Sequence, residues 1–230
     1  MSNSTENYFK FVLCGDCAVG KSSFIHRLVF NKYNDTYKQT IGSDFLSKKF
    51  YHNDKVINVQ LWDTAGKENN WCLTEVFWST ADSLILVYDA SVANTFKSLD
   101  FWYKQFKDKC SKSDLPVLVL ANKSELADKQ VRLEDAKKWC QENNITLLFE
   151  VSAAESLNIK ESILALVEKT IEYKNEKSFN EGDDYDDSNQ IYINKNQLNN
   201  HFLEKSFKNE TVHTNPPIFS CFSNVFNCFK

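Results

Sequence analysis

Glycine is scarce in this chain. Five of the 230 residues are glycine, where ordinary usage of about 7% would supply roughly 16. A backbone this poor in glycine has few places to turn sharply or to come close to a ligand. Four of the five, Gly15, Gly20, Gly42 and Gly66, fall in three short segments with the character of phosphate-handling loops, and the fifth, Gly182, lies in an acidic stretch. Long apolar runs are missing too. None approaches the roughly 20 residues that a membrane-spanning helix needs, so no helix is expected to cross a bilayer. There is no excess of positive charge: 27 basic against 31 acidic residues leave a net charge of -4, which removes any overall electrostatic attraction to nucleic acid. A phosphate ligand would have to be held locally. Residues Met1 to Lys10 are polar and lack the apolar core of a secretory signal, so the seven cysteines are expected in a reducing compartment and not in a disulfide framework. At about 150 residues per domain, the length fits one ordinary domain with an extension, or two small ones.

What is present alternates between strand and helix patterns. Phe9 to Cys14 is a short apolar run, and Phe24, Ile25, Leu28 and Val29 recur at helical spacing after Gly20. Asp44 to Tyr51 and Val56 to Trp62 read as strands joined by the turn His52-Asn53-Asp54-Lys55, a hairpin. Leu84 to Tyr88, Val117 to Ala121 and Leu147 to Val151 are continuous apolar runs of the kind that strands buried on both faces require. Helical stripes lie between and after them: Phe96, Leu99, Tyr103 and Phe106; then Ala136, Trp139 and Cys140; then Ile163, Leu166, Val167 and Thr170-Ile171. Six strands alternating with five helices specify an α/β fold with a mostly parallel sheet covered on both faces. Residues 1–7 read as a short extension and 8–174 as the domain. After about Lys174 an acidic block from Glu181 to Asp187 and an asparagine-rich stretch to Asn200 read as a tail without a packed core, over 175–230.

The segment Gly15-Asp16-Cys17-Ala18-Val19-Gly20-Lys21-Ser22 fits G-x-x-x-x-G-K-[ST] and lies between a predicted strand and the start of a predicted helix. Successive N–H groups in such a loop, with the helix N-terminus, form an anion cradle. Lys21 would neutralise the outer phosphates, and Ser22 would offer a hydroxyl to Mg²⁺. Cys14-x-x-Cys17 has the spacing of a redox pair, but Cys14 ends a buried strand and Cys17 lies inside the cradle, which disfavours that use. Asp63 follows the strand ending Leu61-Trp62 and precedes Thr64-Ala65-Gly66. A carboxylate at a strand's carboxyl end, across from a phosphate loop, can hold the metal through water.

With these residues the chain resembles the Ras superfamily of small GTPases, most closely its Rab branch. Five segments match in order: Gly15 to Ser22; Thr40-Ile41-Gly42-Ser43-Asp44-Phe45; Trp62-Asp63-Thr64-Ala65-Gly66; Asn122-Lys123-Ser124-Glu125; and Val151-Ser152-Ala153-Ala154. The similarity runs from about Tyr8 to Tyr173, leaves no room for the extra helix of the Rho branch, and includes Leu86-Val87-Tyr88-Asp89 in a Rab-like form. The resemblance implies the P-loop small G-protein fold and binding of GTP and GDP with Mg²⁺. By the same resemblance Asn122 bonds the base, the Lys123 stem lies along its face, and Ala153 presents its N–H to the guanine O6, with Ser23, Ser152 and Ala154 beside the nucleotide. Glu125 stands where the family has Asp, one methylene longer, so its bidentate acceptor is displaced while guanine remains preferred over adenine. Tyr33 matches the aromatic on the other face of the base and Tyr37 the one over the phosphates. Thr40 and Gly66 match a switch pair, ordered by the γ-phosphate and released when it leaves. Ser22, Thr40 and Asp63 are the implied metal set. Ile41, Phe45, Trp62 and Phe77 match the surface by which Rab proteins read effectors, although such aromatics also serve as core.

Several departures alter what the resemblance implies. Lys67 occupies the place of the glutamine that orients the attacking water; an ammonium has donors only and cannot align it. The two arginines, Arg27 and Arg132, lie outside the switch, so no internal arginine finger is expected. Intrinsic hydrolysis should be weak, with a non-hydrolysing interaction scaffold as the alternative to a working GTPase. Activating proteins of the Rab branch can supply arginine and glutamine in trans, and the expected partners are these, exchange factors and effectors in vesicle-mediated transport; nucleic acid is not among them. Ala18 replaces a glycine common in the loop. Near the end, Cys228 is followed only by Phe229-Lys230 and Cys221 is isolated, which leaves both as candidate lipidation sites without a complete prenylation signal. Ile218, Phe219, Phe222, Val225, Phe226 and Phe229 recur at helical spacing. That segment suits a membrane interface on the cytosolic face of an endomembrane or the plasma membrane, or docking on this domain or a partner.

Overall fold

Continuous apolar runs, whose successive side chains point to opposite faces, give the sheet two buried faces, and the helical stripes supply the cover. The computed structural model describes residues 7–34, 40, 43–52, 55–64, 78–110, 112, 114–180 and 212–213. In chain order the elements are β1 (Asn7–Cys14), α1 (Lys21–Phe30), β2 (Ser43–His52), β3 (Lys55–Thr64), β4 (Ser83–Asp89), α2 (Ala93–Lys97), α3 (Leu99–Lys109), β5 (Val117–Asn122), α4 (Leu133–Glu142), β6 (Leu147–Glu150), α5 (Ile159–Asn180) and β7 (Val212–His213). The sheet runs β6-β5-β4-β1-β3-β2-β7. β1 pairs in parallel with β3 and β4, and β4, β5 and β6 continue in parallel, while β2 and β3 form the expected antiparallel hairpin. The six expected strands are thus joined by a short seventh, which pairs antiparallel with Ser47 and Lys48 of β2.

On one face, Phe9, Phe11 and Leu13 of β1, with Ile85 and Val87 of β4, pack against α1 and α5. On the other, Val12 and Cys14, with Leu84, Leu86 and Tyr88, pack beneath Trp102 and Phe106 of α3 and Trp139 of α4. Successive side chains of one strand therefore feed opposite cores, as strand geometry dictates. β1 lies between two strands reached by chain going in opposite directions along the sheet, and β1, β3, β4 and β5 all point their carboxyl ends to one side. In an open α/β sheet that side, at such a reversal, is where ligands bind.

Three expectations change in detail. The Phe96–Phe106 stripe is two helices: α2 ends at Lys97, Ser98 intervenes, and the buried stripe of α3 is Leu99, Trp102 and Phe106. β6 is half-buried along its whole length because it forms the sheet edge, so it is not a strand buried on both faces. α5 runs to Asn180, past the boundary at 174 that composition suggests.

Candidate functional site

The turn after β1 is shaped by backbone sterics. Gly15 has φ of 147°, and a Cβ there would lie 2.2 Å from the Val87 carbonyl oxygen; at Gly20, with φ of 96°, it would lie 2.2 Å from Asn122 Nδ2. Neither position admits a side chain. Ala18 adopts the left-handed region at φ of 61°, which explains why glycine suits that place. Gly20 caps α1, its carbonyl accepting from the Phe24 N–H at 2.9 Å. The Lys21 ammonium turns back across the loop and donates to the carbonyls of Gly15 and Asp16, both at 2.7 Å. Burial lowers its pKa, opposed by the charge of Asp63. The mouth of the loop therefore holds a positive charge against a row of main-chain groups.

Beside it, three oxygen ligands close on one point. Ser22 Oγ donates to Asp63 Oδ2 at 2.5 Å and lies 2.9 Å from Thr40 Oγ1, which is itself 3.4 Å from the same carboxylate oxygen. Asp63, next to last in β3, pairs with Leu13 near the β1 terminus, and burial raises its carboxyl pKa against the opposing Ser22 bond and Lys21 charge. Its other oxygen, Oδ1, is buried with no hydrogen-bond partner. Two hydroxyls and a carboxylate with an oxygen to spare form an all-oxygen donor set of the kind a hard divalent cation takes, so these residues fit Mg²⁺.

A second cluster assembles where β5 and β6 end. Asn122 is buried, and its Nδ2 donates to the Val19 carbonyl at 2.8 Å, joining this cluster to the phosphate loop. Its Oδ1 lies 3.4 Å from the Ala153 N–H. Lys123 sits at φ of 61° and its ammonium meets Asp89 at 2.6 Å. Ser152 is buried and its hydroxyl accepts from the Glu155 N–H at 2.9 Å. Ser124 Oγ and Glu125 Oε2 are buried without hydrogen-bond partners. These unmet polar atoms fit a polar, planar ligand with its own donors, as a purine base has. Arg27 of α1 reaches the same loop, donating through Nε to the Ala153 carbonyl at 2.7 Å and through Nη2 to that of Ala154 at 2.8 Å. Its guanidinium lies 5.8 Å from the ring of Tyr33, a residue 41% exposed.

The structure thus brings Gly15–Ser22, Thr40 and Asp63 together at one end and Asn122, Lys123, Glu125, Ser152, Ala153 and Ala154 at the other. Ser23 follows Ser22 on α1, half-buried. Phe45 stacks on Trp62 at 4.9 Å and 18°, and Lys10 covers the Trp62 ring at 4.4 Å, so this pair is both half-core and rim. Tyr37, Ile41, Gly66, Lys67, Phe77, Cys221 and Cys228 lie outside the described residues. Sequence reading gave no site role to three residues: Arg27, Asp89 and Trp102, whose indole N–H donates to Asp16 Oδ1 at 2.7 Å. Asp89 had left a trace, a lone carboxylate ending an otherwise apolar strand. A cavity of about 440 Å³ lies away from all of these, at the amino ends of β5 and β6 between α3 and α5, lined by Tyr103, Pro116, Thr146 and Tyr173.

Residues 10–172 match the Ras family. The chain is 45% identical to the Ras-related protein Rab-32D of Dictyostelium discoideum over 99% of its own length and all of the relative's. It is also 36% identical to Rab7 of Drosophila melanogaster, across 76% of this chain and 86% of that protein, and 36% identical to RABG3b of Arabidopsis thaliana, across 72% and 85%.

Proposed function

The chain belongs to the Ras family and is a Rab-like small GTPase, and from that premise we propose that it is a guanine-nucleotide switch binding GTP and GDP with Mg²⁺. The observation that carries this reading is the half-buried Asp63, one oxygen held by Ser22 and the other, Oδ1, buried and unpartnered, at the mouth of the Lys21 loop. Lys21 and the loop N–H groups would hold the outer phosphates, and Ser22, Thr40 and Asp63 the metal. When bound, the ion would neutralise charge on the β- and γ-phosphates. Asn122, Lys123, Glu125 and the Ala153 N–H would face the base, with Tyr33 on its far side. Thr40 would report the γ-phosphate with Gly66, and Phe45, Trp62, Ile41 and Phe77 would display that state to effectors. Exchange factors and activating proteins would set it.

Such a switch would act in vesicle-mediated transport, held peripherally on a cytosolic membrane face through residues 218–230, with lipidation at Cys221 or Cys228. Among the described residues no helix is long and apolar enough to cross a membrane. Liposome flotation should show the full chain rising and a chain lacking 218–230 remaining behind; identical partitioning refutes the membrane role. Nucleotide content after native purification tests the main reading: GDP or GTP should be retained and displaced by added GTP but not by ATP. Lys67 favours a second reading, a scaffold that holds GTP without turning it over. Single-turnover hydrolysis should be very slow in the native chain and rise in Lys67→Gln; a mutant that remains at the native rate removes Lys67 from the chemistry, and turnover with a Rab-type activating protein separates switch from scaffold.

A further inference from the structure

A loop that reads a base with one N–H must have its other peptide groups held. Residues 152–157 do this partly by themselves, Ser152 and Leu157 exchanging backbone bonds at 3.2 and 3.0 Å and Glu155 N–H bonding the Ser152 hydroxyl. The carbonyls of Ala153 and Ala154 are met from outside the loop, by the one guanidinium of Arg27, across 126 and 127 residues of sequence. Its third nitrogen, Nη1, donates to the Asn31 carbonyl at 3.2 Å, where α1 ends. One planar fork therefore holds three main-chain oxygens in a fixed relation, with the Tyr33 ring 5.8 Å away. An ammonium, with no planar array of donors, cannot reproduce that pattern.

We propose that Arg27 is a positioning residue that fastens the base-reading loop to α1 and so sets how long guanine stays bound. This rests on the guanine-nucleotide reading given above. α1 begins with Lys21 and Ser22 at the phosphate end, and Arg27 lies six residues further along, about 9 Å at the rise of an α-helix. A single rigid helix thereby spaces the phosphate cradle from the loop that meets the base. Asn122 ties the two ends together on one side through Val19; Arg27 ties them on the other. A plain helix-terminal cation, favoured at a carboxyl end, would account for the Asn31 contact but not for the two bonds to the distant loop. Sequence reading missed this because Arg27 belongs to no motif and the carbonyls it meets are visible only in the fold.

The test is release of ribose-labelled GDP, and of the same nucleotide with sulfur in place of O6, from the native chain, Arg27→Gln and Arg27→Lys. Arg27→Gln should release GDP about tenfold faster, since the charge-assisted bonds to both loop carbonyls are lost, and Arg27→Lys should also release it faster, since an ammonium lacks the planar fork that meets both at once. Sulfur is the weaker acceptor, so the native chain should release the sulfur analogue faster than GDP. That difference should shrink in Arg27→Gln, because the Ala153 N–H is no longer held toward position 6; the coupling is read as a cycle between residue and ligand atom. A residue that only stabilises the fold would speed both ligands by the same factor, and that result overturns the assignment. Arg27→Lys keeps charge and stem and serves if Arg27→Gln does not fold; unchanged release from it also overturns the assignment. A native chain that retains neither nucleotide overturns the guanine reading itself and the role of Arg27 with it, whereas retention with unaltered release in the variants overturns the latter alone.

Discussion

Asp89 shows how one carboxylate organises a candidate site through a neighbour, since it holds the Lys123 ammonium at 2.6 Å. Burial would raise its pKa, but the Lys123 ammonium and the hydroxyl and N–H of Ser91 outweigh that and hold it below the ordinary 3.8. A group whose folded pKa is depressed stabilises the fold fully above its unfolded value and loses that contribution as pH falls through the folded one. Urea unfolding of the native chain and of Asp89→Asn should therefore differ most at neutral pH, and the gap should close as pH drops below about 4. A constant gap at every pH would mean that the carboxylate charge is not what Asn lacks. At this scale the phosphate loop was legible in the sequence, because G-x-x-x-x-G-K-[ST] names the steric demands seen at Gly15 and Gly20. Asp89 and Arg27 were not, since each works through partners 34 and 126 residues away, Lys123 and Ala153.

α3 illustrates the same limit for an element. Its existence follows from apolar spacing, but its start does not: the chain passes from α2 to α3 through Ser98 in helical conformation, with φ of -69° and ψ of -12°, so the break leaves little mark in the sequence. Nor did periodicity give Trp102 its second task. The indole is buried under the sheet, and its N–H reaches forward to the Asp16 carboxylate, so α3 is pinned to the phosphate loop by one bond. Trp102→Phe preserves most of the apolar volume and removes that bond. It should cost about 1–2 kcal/mol, seen as a lower urea midpoint at unchanged slope. No shift would show that the half-buried Asp16 finds water as good a partner. β6 teaches a related lesson, because a run of Leu147 to Val151 reads as central when only the neighbours, absent on one side, make it an edge.

For the whole molecule, the order of strand and helix was legible because α/β chains leave few topologies once connections are right-handed. The short seventh strand was not, since two residues in a polar tail carry no pattern. The groups that converge at the carboxyl ends of the sheet come from residues 15–22, 40, 63, 122–125 and 152–154, scattered across most of the domain. A ligand seated there would touch five parts of the chain at once and would have no counterpart in the unfolded chain, so its chemical potential becomes part of the protein's stability. At a hundredfold excess over its dissociation constant it should add about 2.7 kcal/mol. Melting temperature measured across a GDP titration should climb with the logarithm of free nucleotide, and a flat titration would separate occupancy from cohesion. In a cell, the durability of this protein would then follow the supply of guanine nucleotide as much as its own sequence.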